Sequence, residues 1–232
     1  MNAVGRTLHV VTSVGLWKQR RDLSVLLDAE IAAWPLGRFS AFDAFVGWGR
    51  RPSGLKAQSL GLRFGRPVIT LEDGFLKSYA PGTDDPAHSF VIDRTGIYFD
   101  ARHPSDLDAL IDNTPIGPAE AERSRAAMAF IRANRISKYN NSPMRSLSDA
   151  GLPAGKAFVL LVDQVAGDAS IAGALADESR FSAMLDHSRA HYPQAVLAVR
   201  THPAAGNRSM LVAAARRAGI EIVIPGRMNP WP

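Results

Sequence analysis

Short apolar runs alternate with amphipathic stretches along most of the chain. The runs predict strands, because a parallel strand buried on both faces is apolar throughout; they lie at residues 7–12, 42–48, 68–71, 157–162, 195–199 and 220–224. Apolar residues at helical spacing predict helices at 23–33, 57–64, 105–111, 119–134, 179–191 and 209–218. The alternation predicts an α/β fold with a parallel sheet and helices on both of its faces.

Carboxylates follow the predicted strand at 68–71. Glu72 and Asp73 end that strand, and Gly74 comes next, where the chain turns out of the sheet. Side chains at the carboxyl end of a parallel strand face the crevice in which open α/β sheets bind ligands. The pair is therefore a candidate site.

The polar segment after this strand has two interpretations. Lys77 and Ser78 lie close to the carboxylate pair, and shorter apolar runs follow at 90–92 and 97–99. One interpretation is a ligand site that holds both signs of charge. The other is a strand followed by a solvated loop and a hairpin, because loops carry polar residues in any case.

The predicted strand at 42–48 ends in a glycine-bounded turn, Gly47-Trp48-Gly49-Arg50. A Gly-x-Gly turn after a strand allows backbone amides to approach a phosphate. A lone Gly-x-Gly is weak evidence for such a loop, and an ordinary tight turn is the favoured interpretation.

The run at 157–162 is the strongest of the predicted strands, because it is continuously apolar, and this predicts a sheet covered on both faces. Gln164, Asp168 and Ser170 follow it. Asp168 or Ser170 either caps a helix that begins near residue 171 or contributes to a site at the strand end.

The next strand, at 195–199, leads directly into Arg200-Thr201-His202. A histidine there either binds a ligand or has a packing or capping role. The second half therefore has the order β-α-β-α-β, fewer units than a complete Rossmann-like domain, and the sequence is expected to be cut short.

Composition narrows the class of partner. The net charge is +5, from 27 Lys and Arg against 22 Asp and Glu, which favours anionic ligands. No basic run is interleaved with aromatic residues, so nucleic acid is not expected as a partner. The chain has no cysteine, so it has no disulfide and no thiolate metal site.

The N-terminal apolar patch has the wrong order for a signal peptide and is too short to span a bilayer. A cytoplasmic protein, or one bound to a membrane from the cytoplasmic side, is expected.

A polar stretch at 145–155 predicts a linker. It divides the chain into an N-terminal lobe, residues 1–148, and a C-terminal lobe, residues 149–232.

Short motifs along the chain resemble one family, the capsular polysaccharide β-Kdo glycosyltransferases of the KpsC/LipA type. In chain order they are WGR, LEDGFLKS, SFVIDRTGIYFDA, SKYN, DQVAGDAS and RTHP. The resemblance implies a GT-B architecture, in which two Rossmann-like lobes face a cleft and the C-terminal lobe holds the nucleotide. Here that second lobe is expected to be incomplete.

The resemblance also implies an activity. The family transfers Kdo, an eight-carbon acidic sugar, from CMP-β-Kdo with retention of configuration. The acceptor is a lipid-linked glycan at the cytoplasmic face of the inner membrane, so peripheral contact with that anionic membrane is implied. No cofactor or metal ion is expected.

The site residues carried over by the resemblance are the following. Asp168, in the Q-x-x-x-D-x-S segment, is a candidate nucleophile, and Glu72 and Asp73 are the alternative acid/base candidates; which carboxylate is the nucleophile stays open at this point. His202 and Arg200 are expected to hold the CMP phosphate. The other expected substrate-binding residues are Lys77, Ser78, Gln164, Ser170, Trp48 and Arg50.

Two departures from the family pattern stand against this. Lys77 occupies a position where the family usually has Arg, which loses bidentate recognition of a carboxylate. The family also continues beyond the RTHP strand into a segment that completes the nucleotide site. The alternative is therefore a truncated, non-catalytic capsule-assembly protein that keeps the fold and binds an anionic glycan or a partner. An open sheet edge would make such a fragment poorly soluble alone.

Overall fold

The computed structural model describes residues 7–35, 42–80, 85, 87–138, 140–141, 143–144, 146–202, 209–220 and 222–224. The chain forms two compact units. The first consists of Met1–Phe75 with Ala87–Pro115, and the second of Leu76–Pro86 with Ile116–Pro232. This grouping assigns residues 116–148 to the second unit. The sequence predicted a boundary between two lobes after residue 148, and this boundary stays a prediction.

The first unit is built on a five-stranded sheet in the order β2-β1-β3-β4-β5. Its strands are β1 (Leu8–Val11), β2 (Glu30–Ala33), β3 (Ala44–Trp48), β4 (Val68–Asp73) and β5 (Phe90–Asp93). The pairs among β1 to β4 are parallel, whereas β5 runs antiparallel to β4. The α/β prediction is confirmed, and the sheet is mixed rather than purely parallel.

Helices cover both faces of this sheet. They are α1 (Val14–Lys18) and α2 (Arg20–Leu26) on one face and α3 (Pro52–Phe64) on the other. A further helix, α4 (Asp106–Asn113), follows β5 in the chain and has no fully buried residue. Because successive strand residues point to opposite faces, Val10 packs with Phe45 and α3 residues, while Val11 packs with Val46 and α1 and α2 residues. The side chains of Val10, Phe45 and Val46 have no exposed surface.

The helix predicted at 23–33 is wrong. The structure has α2 up to Leu26, a turn, and then β2. Asp28 adopts a left-handed conformation, with φ of 47°, which ends the helix. Residues Glu30–Ala33 then pair in parallel register with Leu8–Val11. Leu23 and Leu27 are buried whether the helix continues to residue 33 or ends at Leu26. Their spacing therefore did not distinguish the long helix from a short helix followed by a strand.

The hairpin of residues 90–92 and 97–99, which one interpretation of this segment included, is wrong, because residues 97–99 form no strand. Asp93 is 1% exposed, and its Oδ1 accepts hydrogen bonds from the backbone amides of Thr95 (2.9 Å) and Gly96 (2.6 Å). Its Oδ2 accepts one from Asp106 N, at 3.2 Å. Ile97 is fully buried in a turn rather than in a strand. A buried carboxylate thus organises this loop around its backbone amides.

The second unit carries a three-stranded parallel sheet in the order β6-β7-β8. Its strands are β6 (Phe158–Val162), β7 (Val196–Arg200) and β8 (Ile222–Ile224), and its helices are α5 (Pro118–Ala133), α6 (Ala169–Gly173), α7 (Glu178–His191) and α8 (Met210–Arg217). The predicted β-α-β-α-β order is confirmed. One sheet face packs on α7 and α8 through Leu161, Val199, Phe181, Leu185 and Leu211.

The expectation that β6 is covered on both faces is wrong. Phe158, Leu160 and Val162 alternate along it and are 39%, 39% and 59% exposed. They lie on the face opposite the helices, on an edge strand of the described sheet. On β7 the same face is covered, because Leu152 from the predicted linker packs on Ala198.

Candidate functional site

The carboxyl ends of β3 and β4 bring Trp48 and Glu72 together. Trp48 Nε1 donates a hydrogen bond to Glu72 Oε1 at 3.0 Å, and the backbone amide of Asp73 donates to the same oxygen at 3.0 Å. Gly49 has φ of +41°, and a Cβ there would lie 2.5 Å from Glu72 Oε2. The glycine after Trp48 is therefore needed to admit the Glu72 carboxylate.

The turn after β3 packs tightly against the start of α3. A Cβ on Gly54 would lie 2.0 Å from Gly49 O, and one on Gly47 would lie 2.7 Å from Gly54 Cα. Ser53 Oγ accepts a hydrogen bond from Trp48 N at 3.2 Å. Strand end and helix start thus touch through glycines, which is compatible with both the ordinary turn and the phosphate loop.

Arg50 is held by a carboxylate distant in sequence. Its Nε and Nη2 bind Asp100 Oδ2 at 2.9 and 2.8 Å, and Arg102 Nε binds Asp100 Oδ1 at 2.6 Å. Asp100 is 1% exposed, and the hydrogen bonds from Arg102 and then Arg50 hold its pKa far below the usual range of a carboxyl. Sequence reasoning missed Asp100 and Arg102 as partners of Arg50, and the only signal was the IYFDA motif.

In the second unit, Gln164, Asp168 and Ser170 form one hydrogen-bonded group. Asp168 Oδ1 accepts from Ser170 N at 2.9 Å and lies 2.7 Å from Ser170 Oγ. That hydroxyl is also 3.3 Å from Gln164 Oε1. Asp168 is the N-cap of α6. The capping interpretation is confirmed, and it leaves open what the rest of the carboxylate does.

Adjacent strand ends place His202 beside this group. The parallel register pairs Val162 with Arg200, so the residues after each strand meet at one edge of the sheet. Burial lowers the pKa of the half-buried His202 imidazole. The carboxylate of Asp168 raises this pKa, the ammonium of Lys138 lowers it further, and the carboxylate of Asp163 raises it. His202, Asp168, Lys138 and Asp163 therefore form one charged neighbourhood.

Lys77 and Ser78 belong to this second unit through Lys138. Their backbone amides lie 3.3 and 3.5 Å from Lys138 O, and Asn140 N donates to Tyr79 O at 2.7 Å. Ser78 is 5% exposed, and its hydroxyl donates to Ala80 O at 2.7 Å. Sequence reasoning quoted the SKYN motif but missed Lys138 as a neighbour of His202.

The predicted site residues therefore fall into two sets. Trp48, Arg50, Glu72 and Asp73 lie in the first unit, and Lys77, Ser78, Gln164, Asp168, Ser170, Arg200 and His202 lie in the second. Within the described ranges, no three His, Asp or Glu side chains are grouped so that they could hold a metal ion. None of the described helices combines the length and apolar character needed to cross a bilayer.

The sequence profile described as capsule polysaccharide biosynthesis protein matches residues 43–214, a range that contains every predicted site residue. The chain therefore belongs to this family of capsule polysaccharide biosynthesis proteins. The resemblance read from the motifs is confirmed.

Two curated relatives are longer than this chain. The capsule polysaccharide modification protein LipA of Neisseria meningitidis serogroup A is 40% identical over 166 residues, which cover 69% of this chain and 23% of LipA. The lipopolysaccharide-processing protein LpsZ of Rhizobium meliloti is 34% identical over 169 residues, covering 69% of this chain and 37% of LpsZ. The match thus spans 23% of the length of LipA and 37% of the length of LpsZ.

A solved structure is similar over nearly the whole chain. It is KpsC of Thermosulfurimonas dismutans, described as a beta Kdo 2,4 transferase, with a TM-score of 0.83 and 30% identity. The match covers 97% of this chain and 70% of the KpsC chain.

Proposed function

We propose that this chain is part of a glycosyltransferase that transfers Kdo from CMP-β-Kdo to a lipid-linked glycan in capsule polysaccharide biosynthesis. The family and the likeness to a Kdo transferase support it. A GT-B architecture is part of the proposal, with residues 149–232 contributing to the nucleotide-binding lobe. So is a cytoplasmic location with peripheral contact to the inner membrane.

One observation carries the proposal. Asp168 and His202 lie in a single charged neighbourhood where β6 and β7 end, with Arg200 on the same edge. A carboxylate next to a nitrogen donor and a cation suits a reaction in which a phosphate leaves a sugar.

Asp168 is the proposed nucleophile. Among the described residues, its hydrogen bonds are made through Oδ1, which fixes the carboxylate, and Oδ2 is the oxygen we assign to attack. Oδ2 forms a bond to the anomeric carbon as the bond from that carbon to the phosphate oxygen breaks, and CMP leaves with the electron pair. An acceptor hydroxyl then displaces Asp168 and gives up its proton to a base. Two inversions give retention.

His202 and Arg200 stabilise the leaving phosphate. Burial lowers the pKa of both groups. Arg200 still remains charged at neutral pH, because a guanidinium keeps its proton throughout the physiological range. His202 offers a ring N–H as donor, which is sufficient because phosphate is already a stable anion.

Glu72 and Asp73 are the proposed acid/base groups of the first unit. Glu72 is fixed by Trp48 Nε1 and by the Asp73 amide, so its carboxylate is pre-oriented. Fixed orientation is what a proton-transfer group requires.

The direct test is release of CMP from CMP-Kdo with a glycolipid acceptor. The chain offers a matched control for Asp168, because Asp177 caps α7 in the same way, with Oδ1 2.9 Å from Ser179 N and 2.5 Å from its hydroxyl. Asp168→Asn is expected to lower turnover by about 10³-fold or more. Asp177→Asn makes the same change at an equivalent helix cap, where the amide oxygen still accepts the Ser179 amide, and is expected to keep turnover.

Equal turnover in the Asp168 and Asp177 variants would reject Asp168 as the nucleophile. Wild-type turnover no faster than spontaneous hydrolysis, in a folded chain, would reject the enzyme.

The second candidate is a non-catalytic capsule-assembly protein that binds an anionic glycan. The structural engagement of Asp168 as a cap and of Glu72 by Trp48 favours it, because both carboxylates already stabilise the fold. It predicts binding of a Kdo oligosaccharide that Asp168→Asn leaves unchanged, together with no CMP release.

A further inference from the structure

Asp163, the first residue after β6, has no role in the mechanism above and is 2% exposed. Its backbone amide donates to Arg200 O at 2.9 Å, at the end of β7. Its Oδ1 accepts from Leu211 N at 3.2 Å, in the first turn of α8. Asp163 thus contacts both β7 and α8, the two elements that flank the segment containing His202.

The following residues strengthen this attachment. Val165 forms an antiparallel bridge with Ser209, the N-cap of α8. The short segment from Asp163 to Val165 is therefore bonded on both sides of the connection that carries His202.

The second carboxylate oxygen of Asp163 is unusual. Oδ2 is buried and accepts no hydrogen bond from the part of the chain that the structure describes. Burying a carboxylate oxygen without a donor costs free energy. An asparagine or serine would accept the Leu211 amide equally well without a buried charge, so anchoring α8 does not account for a carboxylate here.

His202 is the group that this charge reaches. The register of β6 and β7 places Asp163 and His202 at the same sheet edge. The charged groups that act on the imidazole are Asp168, Lys138 and Asp163, and of the two carboxylates Asp163 is the buried one. A buried carboxylate near a histidine stabilises the protonated form of the imidazole.

We propose that Asp163 is a positioning residue for His202: it is bonded to both elements that flank His202, and its buried charge supports the cationic imidazole while a nucleotide phosphate is bound. The role rests on the proposed function, in which His202 donates to that phosphate. Asp163 itself does not contact the substrate.

The test compares wild type with Asp163→Asn. The amide oxygen of asparagine still accepts the Leu211 amide, so only the charge is removed. The pKa of His202 is measured by NMR titration of its ring protons, assigned with His202→Gln, with and without CMP. In Asp163→Asn this pKa is expected to fall, CMP to bind several-fold more weakly, and kcat to drop about tenfold.

Two further variants separate charge from packing. Asp93→Asn removes another buried carboxylate charge and is expected to leave the His202 titration unchanged, because Asp93 is not among the charged groups that act on that imidazole. Asp163→Ser keeps a smaller acceptor for Leu211 and is expected to lower the pKa of His202 as Asp163→Asn does.

An unchanged pKa of His202 and unchanged CMP affinity in Asp163→Asn would overturn the inference. Asp163 would then serve only to anchor α8 through the Leu211 amide. Loss of folding in both Asp163 variants would also overturn it, since the carboxylate would then be structural. If wild type shows no transfer but Asp163→Asn still shifts the titration, the proposed function fails and the positioning of His202 stands.

Discussion

At the scale of single residues, three buried carboxylates differ in the groups that they bind. Asp93 and Asp100 in the first unit and Asp163 in the second are each at most 2% exposed, and each has a different set of partners. Asp93 binds backbone amides, Asp100 binds guanidinium groups, and Asp163 has one oxygen without a described donor. The residue type alone distinguishes none of these environments.

His9 on β1 gives a prediction about pH. It is 6% exposed, its Nδ1 has no hydrogen-bond partner among the described residues, and burial lowers its pKa against the opposing effect of Asp43. The unfolded chain therefore takes up this proton before the folded chain does. The stability that His9 contributes is present above the unfolded pKa, about 6.5, and is lost as pH falls through the folded pKa.

Urea unfolding of wild type and His9→Leu between pH 7.5 and 5 measures this. Wild type is expected to lose stability toward pH 5 more steeply than His9→Leu. Leu60→Ala, which removes a buried side chain of the same unit, is the control and should keep the wild-type slope. Parallel curves for wild type and His9→Leu would contradict the prediction.

The sequence predicted one local structural role of a candidate site residue, whereas the site roles themselves stay predictions. Asp168 precedes a helix with serine two residues on, and this spacing indicated a cap. The pairing of Arg50 with Asp100 was not predictable, because fifty residues separate them and only the fold brings them together.

At the scale of elements, glycines determine how β3 meets α3. Gly54 lies so close to Gly49 that a methyl group there would meet a backbone oxygen rather than a flexible side chain. The backbone must move to admit it, and the turn that presents Trp48 to Glu72 must move as well.

Gly54→Ala is therefore expected to lower the free energy of unfolding by about 2 kcal/mol. Gly15→Ala is the control, because Gly15 lies in α1 and its added Cβ would meet only Ser13 Oγ at 3.9 Å. That control should change stability by less than about 1 kcal/mol, in the favourable direction. Chemical denaturation of both variants decides, and equal stabilities would show that the strand and helix are less closely packed.

Most strands were predictable because buried parallel strands are continuous apolar runs, as at Phe45 and Val46. The error at 23–33 has a physical origin. Leu23 and Leu27 have helical spacing, but Glu30–Ala33 is too short for its period to be recognised, and pairing with β1 makes it a strand. The exposed face of β6 was not predictable either, since an apolar run does not tell which of its faces is covered.

At the scale of the whole molecule, the motifs identified the family although each is weak alone. They are spread over the range that the family profile matches, so their order carried the information. The grouping into units was not predictable from composition. Residues 76–86 join the second unit, where the amides of Lys77 and Ser78 lie against Lys138 O, a contact across sixty residues of chain.

The central claim is that Asp168 forms a covalent bond to Kdo during transfer. Intact-protein mass spectrometry after mixing the chain with CMP-Kdo, without acceptor, tests it most directly. Wild type and Asp177→Asn are expected to gain the mass of one Kdo residue, located on Asp168 by peptide mapping, and Asp168→Asn is expected to gain none. CMP release by wild type without any adduct, or an adduct that persists in Asp168→Asn, would contradict the account.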